Sequence, residues 1–186
     1  MLSAKKKEVF PMRKTEIRRL LTLLLTLVLT LNVASCFAED AQYATTKDFI
    51  RVLEKNDLKY TYKGIDSDKD ETVIVSFTDD FYDSVTVRFF FDEDEDKVSI
   101  RIWNLIDVSA GESYATTVIN KLNKDYKYAK FILDTSDSTV SVENDIYMDG
   151  TDGDKLLRLM NVLLQILTDD DCLDVMKTLK RSEERR

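Results

Sequence analysis

No histidine occurs anywhere in the chain. That removes the side chain most used as a general base, as the activator of a Ser or Cys nucleophile and as a zinc ligand. Glycine is scarce, at four residues, and the sequence holds no Gly-x-Ser-x-Gly elbow and no phosphate-binding glycine loop. Proline occurs once, at Pro11, so the rest of the chain has no Pro-rich linker or stalk. Cysteine occurs twice, at Cys36 and Cys172. Cys36 falls in a segment that reads as a leader, where it would be either removed or acylated. Cys172 then has no intramolecular partner, and no disulfide framework staples the fold. Its neighbours Leu173, Val175 and Met176 lead us to expect a buried, inert thiol. Paired carboxylates can hydrolyse glycosides, but the acidic residues here fall on expected turns. The chain therefore reads as non-catalytic, with no cofactor, no catalytic residue and no metal ligand assigned.

The N-terminus opens with a basic stretch. Lys5, Lys6, Lys7, Arg13, Lys14, Arg18 and Arg19 precede an apolar block from Leu20 to Val33. As a helix this block would measure about 21 Å, short of a hydrocarbon core of about 30 Å. A basic flank, a short apolar run and then small residues form the pattern of a secretory signal, expected over 1–38, with Met1 or Met12 as the start. Val33-Ala34-Ser35-Cys36 resembles a bacterial lipobox, which would leave a diacylated Cys36 holding the protein to a membrane. Cys36-Phe37-Ala38 also fits an ordinary cleavage site, which would release a protein beginning at Glu39. Both readings export the chain across the cytoplasmic membrane, as a membrane-anchored lipoprotein or a secreted protein. Contact with a membrane is expected only through the signal or a lipid on Cys36.

Of the 27 basic and 35 acidic residues, the leader holds seven and two, so 20 against 33 remain and the net charge there is −13. Such a field repels nucleic acid and anionic headgroups and favours basic partners or divalent cations. The chain beyond the leader has the length of one domain, expected over 45–181 after a polar lead at 39–44 and before a charged tail at 182–186.

Helical spacing of Phe49, Ile50, Val52 and Leu53 predicts a first helix, starting at Thr45 or Thr46 as its cap. The period then changes to two. Leu58-Tyr60-Tyr62, Val73-Val75-Phe77, Val85-Val87-Phe89-Phe91 and Val98-Ile100-Ile102 predict four strands at hairpin spacing, with turns at Gly64–Asp70 and Asp92–Asp96. A helix over Glu112–Tyr126 comes next, then strands around Phe131–Leu133 and Val140–Val142, a helix over Asp154–Thr168 and a closing helix over Cys172–Lys180. The expected fold is α+β, in the order α-ββββ-α-ββ-α(α), an antiparallel sheet with helices packed on one face.

Ile119-Asn120-Lys121-Leu122-Asn123, Lys130-Phe131-Ile132-Leu133-Asp134 and Thr139-Val140-Ser141-Val142-Glu143 resemble the YbjN family of small bacterial domains, over roughly Thr45 to Leu167. That resemblance implies a fold similar to type III secretion chaperones, which bind polypeptides and often dimerise. It implies no catalytic residues. The exported leader departs from cytosolic members, so the resemblance is carried for the fold and not for a secretion-chaperone role.

Two surfaces stand out as partner sites. On the side of the sheet away from the core, alternation places Ile74, Phe90, Trp103 and Leu105 beside Thr86, Arg88 and Arg101. Aromatics with arginine are enriched in interface hot spots. The Asp154–Thr168 helix is apolar over more than half of its circumference, wider than the roughly 100° stripe that packing on a sheet requires. Leu157, Met160, Leu164 and Leu167 are the candidate dimer face there, unless the closing helix covers them. Asp66-x-Asp68-x-Asp70 begins like a calcium loop, but Glu71 stands where glycine is needed and Phe77 where a bidentate Glu belongs. The expectation is thus an exported, non-catalytic binding domain that engages a protein or self-associates. A small-molecule or calcium sensor of the cell envelope and a structural lipoprotein are the alternatives.

Overall fold

The computed structural model describes residues 41–94, 96–108 and 110–180. The expected signal sequence with Cys36, the start of the polar lead and the charged tail lie outside them. The elements run α1 (Ala44–Lys55), β1 (Thr61–Lys63), β2 (Glu71–Asp79), β3 (Asp83–Phe91), β4 (Lys97–Asp107), α2 (Glu112–Asp125), β5 (Lys130–Asp134), β6 (Thr139–Tyr147), α3 (Gly153–Leu167) and α4 (Asp170–Leu179). The fold is α+β in the expected order.

All six strands form one sheet, ordered β1-β2-β3-β4-β6-β5, with every neighbouring pair antiparallel. The first four make the meander that hairpin spacing predicts. Two antiparallel steps separate β4 from β5, so those two run parallel, and such a connection needs a crossover rather than a tight turn. α2 provides it, and β6 then fills the gap between them.

Aspartate shapes the turns. Asp66 accepts the amides of Asp68 and Asp70 between β1 and β2, and Asp79 those of Phe81 and Tyr82 between β2 and β3. Asp92 accepts from Asp94 before β4, while Asp134 and Asp137 accept from Ser136 and Thr139 between β5 and β6. A short carboxylate that bonds an amide two residues on imitates a backbone turn, so these acids have a folding role in a glycine-poor chain. Asp152 and Asp169 likewise cap α3 and α4, accepting from Lys155 and Cys172.

The inward side chains of the strands meet the helices in one core. Phe89 and Phe91 of β3 pack on Phe49 of α1, with ring centroids 4.5 and 5.9 Å apart. Leu122 of α2, Leu156, Met160, Leu163 and Leu167 of α3, and Cys172, Met176 and Leu179 of α4 are buried in the same cluster. Burial pushes the Cys172 thiol up to about 12, with the charge of Asp169 adding to the shift.

Two details of packing depart from the local sequence pattern. Thr45 and Thr46 do not cap α1; both are buried inside its first turn. The carboxylate of fully buried Glu71, on β2, instead accepts the amides of Gln42 (2.6 Å) and Tyr43 (3.2 Å) and the hydroxyl of Tyr62 (2.6 Å). It brings negative charge to the positive end of the helix and holds the lead in place. Ala41 and Tyr43 in that lead are buried, not merely polar tether. At the other junction, Asp48 of α1 accepts the amide of Gly153, the first residue of α3, at 2.7 Å. A Cβ at Gly153 would stand 2.8 Å from the Asp48 carbonyl oxygen and 2.9 Å from Phe49 Cα, so only glycine lets the helices approach this closely.

That approach answers the question of the broad apolar face of α3. α1 and α4 both pack against it. Met160 and Leu167, two of the four candidate dimer-face residues, are completely enclosed and cannot meet a second copy. Leu157 and Leu164 are half-buried.

Candidate functional site

The side of the sheet opposite the helices carries polar and charged residues around one aromatic island. Trp103 of β4 is 46 % exposed, a large apolar surface for a tryptophan. It is held in place nonetheless. The Phe90 ring lies 5.6 Å away, centroid to centroid, and the Arg88 guanidinium carbon sits 5.0 Å from the indole centre. Tilted aromatic pairs and cations over indole each add about 0.5–1.5 kcal/mol beyond buried area. The indole is thus presented in a defined position.

Of the residues expected on this face, the structure brings Phe90, Trp103 and Arg88 together. Ile74 is half-buried on β2, directly across from Arg88. Arg101 behaves differently. It faces Arg88 across the β3–β4 ladder, where like charges repel. The two arginines turn apart: Arg88 toward Trp103, and Arg101 toward β6. There Arg101 pairs with Asp145 at 2.7 Å, approaches Glu143 at 3.9 Å and donates to the carbonyl of Asn144 at 3.1 Å. Burial opposes ionisation of Asp145, but hydrogen bonds from Arg101 and Ser99 and the nearby positive charge outweigh it, so its pKa falls below the usual carboxylate value. Arg101 therefore ties β4 to β6 and is not a free partner contact.

Leu105 is not on this face. The β4–β6 register slips between Ile102 and Ile106, and Asn104 takes a left-handed backbone with φ of 54°. Both Leu105 and Ile106 are buried as a result. The amide of Asn104 donates to Ser141 Oγ across the slip. The same irregularity lies next to Trp103, consistent with a bulge that re-aims a side chain.

A second feature lies among the helices. α2 and α4 border a groove of about 540 Å³. Val118, Leu122 and Val175 make its apolar lining, with Tyr114 and Tyr126 on or beside α2 and the carboxylates of Asp125, Asp171 and Asp174 around it. Tyr126 also donates a hydrogen bond to Asp169, the cap of α4. Burial and that carboxylate push the Tyr126 phenol well up, while Asp169 is held below the usual range by the Tyr126 and Cys172 bonds. From the sequence, Val118 and Leu122 read only as core. The spacing of Tyr114, Val118, Lys121, Leu122 and Asp125 on one helical face is the signal that points to the groove.

The acidic turns at 66–70 and 92–94 lie close to one another, and Lys69 of the first pairs with Glu93 of the second. Burial and the charges of Asp66, Asp92 and Asp68 raise the pKa of Asp70. Among the described residues no group of three or more acids or thiols is placed to hold a metal ion, and no helix is long and apolar enough to cross a membrane. No family model, curated protein or solved structure matches the chain.

Proposed function

We propose that this is an exported, non-catalytic binding domain that engages a polypeptide partner through the open face of its sheet. One observation carries the reading: Trp103 is exposed, yet fixed by Phe90 and Arg88 on a face that none of the described helices covers. Folding alone does not call for an indole there. A pre-positioned aromatic flanked by arginine loses little side-chain freedom on binding, which is how hot-spot residues contribute most. The resemblance to the YbjN family, and the export that the leader suggests, belong to the same proposal.

Support for a non-catalytic role comes from the chemistry present. The only described thiol is buried and poorly ionised, and the chain has no histidine to activate it. The test is to pan a displayed peptide library against the full chain and measure the affinity of the recovered peptides. Trp103 is the only tryptophan, so its fluorescence reports binding directly. Peptides of this site should shift that emission and lose at least tenfold in affinity for Trp103→Ala. If no recovered peptide depends on Trp103, the proposal fails.

A further inference from the structure

We infer that the groove between α2 and α4 receives a second kind of ligand: a short basic amphipathic helix from a partner polypeptide. This site lies among the helices and does not rest on the Trp103 proposal.

Three observations select the occupant. The lining is apolar: Val118 and Leu122 form its buried floor, and half-buried Val175 and the exposed ring of Tyr114 offer the surface that suits the apolar stripe of a helix. The shorter wall, α4, has 10 residues and is about 15 Å long, so it accommodates about three turns of an incoming helix. The charge is one-sided: Asp125, Asp171 and Asp174 line the groove against a single cation, Lys121.

The placement of those acids is the stronger argument. Asp170 and Asp171 lie in the first turn of α4, where the helix dipole favours carboxylates. The dipole does not account for Asp174, further along α4. It opposes Asp125, which is the last residue of α2, at the end where a cation would be favoured. Asp125 therefore sits against the preference of its own helix, and it faces the groove. Asp174 pairs with Lys177 at 2.7 Å, but both side chains are well exposed, so exchanging Lys177 for a partner's Lys or Arg costs little. Anionic occupants, such as acidic lipid headgroups or nucleic acid, would be repelled.

The experiment titrates the full chain with a fluorescein-labelled 14-residue Leu/Lys amphipathic peptide and, in parallel, with its Leu/Glu counterpart. Asp125→Lys is the main variant, because a cation at the C-terminus of α2 should leave the fold intact. Asp171→Lys with Asp174→Lys is the second. Asp68→Lys with Asp94→Lys, on exposed turns away from the groove, matches that second change in net charge. Trp103→Ala controls for the other face. The expected result is binding of the Leu/Lys peptide only. Asp125→Lys should weaken it at least fivefold and the Asp171/Asp174 pair at least tenfold, while the turn pair and Trp103→Ala change it less than twofold. Equal losses from the groove pair and the turn pair would reduce the effect to overall charge and overturn the inference. So would binding of the Leu/Glu peptide. A dimer in sedimentation that Asp125→Lys dissociates would assign the groove to a second copy instead. Binding seen only after residues 1–36 are removed would assign it to the chain's own basic leader. Either result overturns the inference.

Discussion

Phe89 and Phe90 are adjacent in β3 and do opposite things. Phe89 is fully buried and packs on Phe49, whereas Phe90 points to the open side and packs on Trp103. The comparison extends to the two faces of the sheet. On the covered face nearly every inward position is Val, Ile or Phe, because that face must exclude water beneath the helices. On the open face the positions are mostly Ser, Thr and charged residues, apart from the island around Trp103. Residues on the covered face are explained by folding; the island is not, and that is why it draws a functional reading.

The sharpest way to break this comparison is to truncate both phenylalanines. Phe89→Ala should cost about 3–5 kcal/mol in urea unfolding, through lost burial and a cavity. Phe90→Ala should cost about 1 kcal/mol, the worth of one aromatic pair and some partial burial. Equal losses would mean that the open face is part of the structural core. Next in size is Glu71→Ala, which strands two amides and a hydroxyl in a buried place; about 2–3 kcal/mol of stability should go. Hydrogen exchange at Gln42 and Tyr43 should then rise selectively. Gly153→Ala should cost about 1–3 kcal/mol, because its methyl meets backbone rather than a side chain that can move. A thermal melt will show it as a lowered midpoint.

The smallest effect concerns the ion pair between Arg101 and Asp145 on the open face. The depressed pKa of Asp145 means that its contribution is present above the unfolded value of about 3.9 and is lost as pH falls through the lower folded value. Asp145 is half-exposed, so the loss should be no more than about 1 kcal/mol. Urea midpoints measured from pH 5 downward should fall less steeply for Asp145→Asn than for the parent chain.

Alternation made β2, β3 and the first half of β4 readable, since Val73, Val75, Val85, Val87, Phe89, Phe91, Val98, Ile100 and Ile102 are all buried as the period of two requires. Alternation failed at Leu105. A slip in register leaves no trace when the residues around it are apolar on both sides, and Asn104 is among the few residue types that accept a left-handed backbone readily. The anchor of the segment leading into α1 was invisible for another reason: its carboxylate is Glu71, 28 residues from Tyr43, and reads locally as the start of a strand. Nothing local told β6 to lie between β4 and β5. On the site, Trp103, Phe90 and Arg88 were legible, because two neighbouring strands with known inward residues define the outward ones. The pairing of Arg101 with β6 was not, since it depends on that same strand order. The excess apolar surface of α3 was legible too. Its cover was legible only for α4, the next helix in the chain; that α1 covers it as well is a contact between distant segments.

The central claim is that the aromatic island serves a partner and not the fold. It is tested most directly by the double variant Phe90→Ala, Trp103→Ala, scored on one sample for stability and for affinity toward a peptide selected on the parent chain. We expect unfolding within about 2 kcal/mol of the parent, the cost of one exposed aromatic pair, together with a loss of binding of at least tenfold. Undiminished affinity, or loss of the folded state along with the binding, would contradict it.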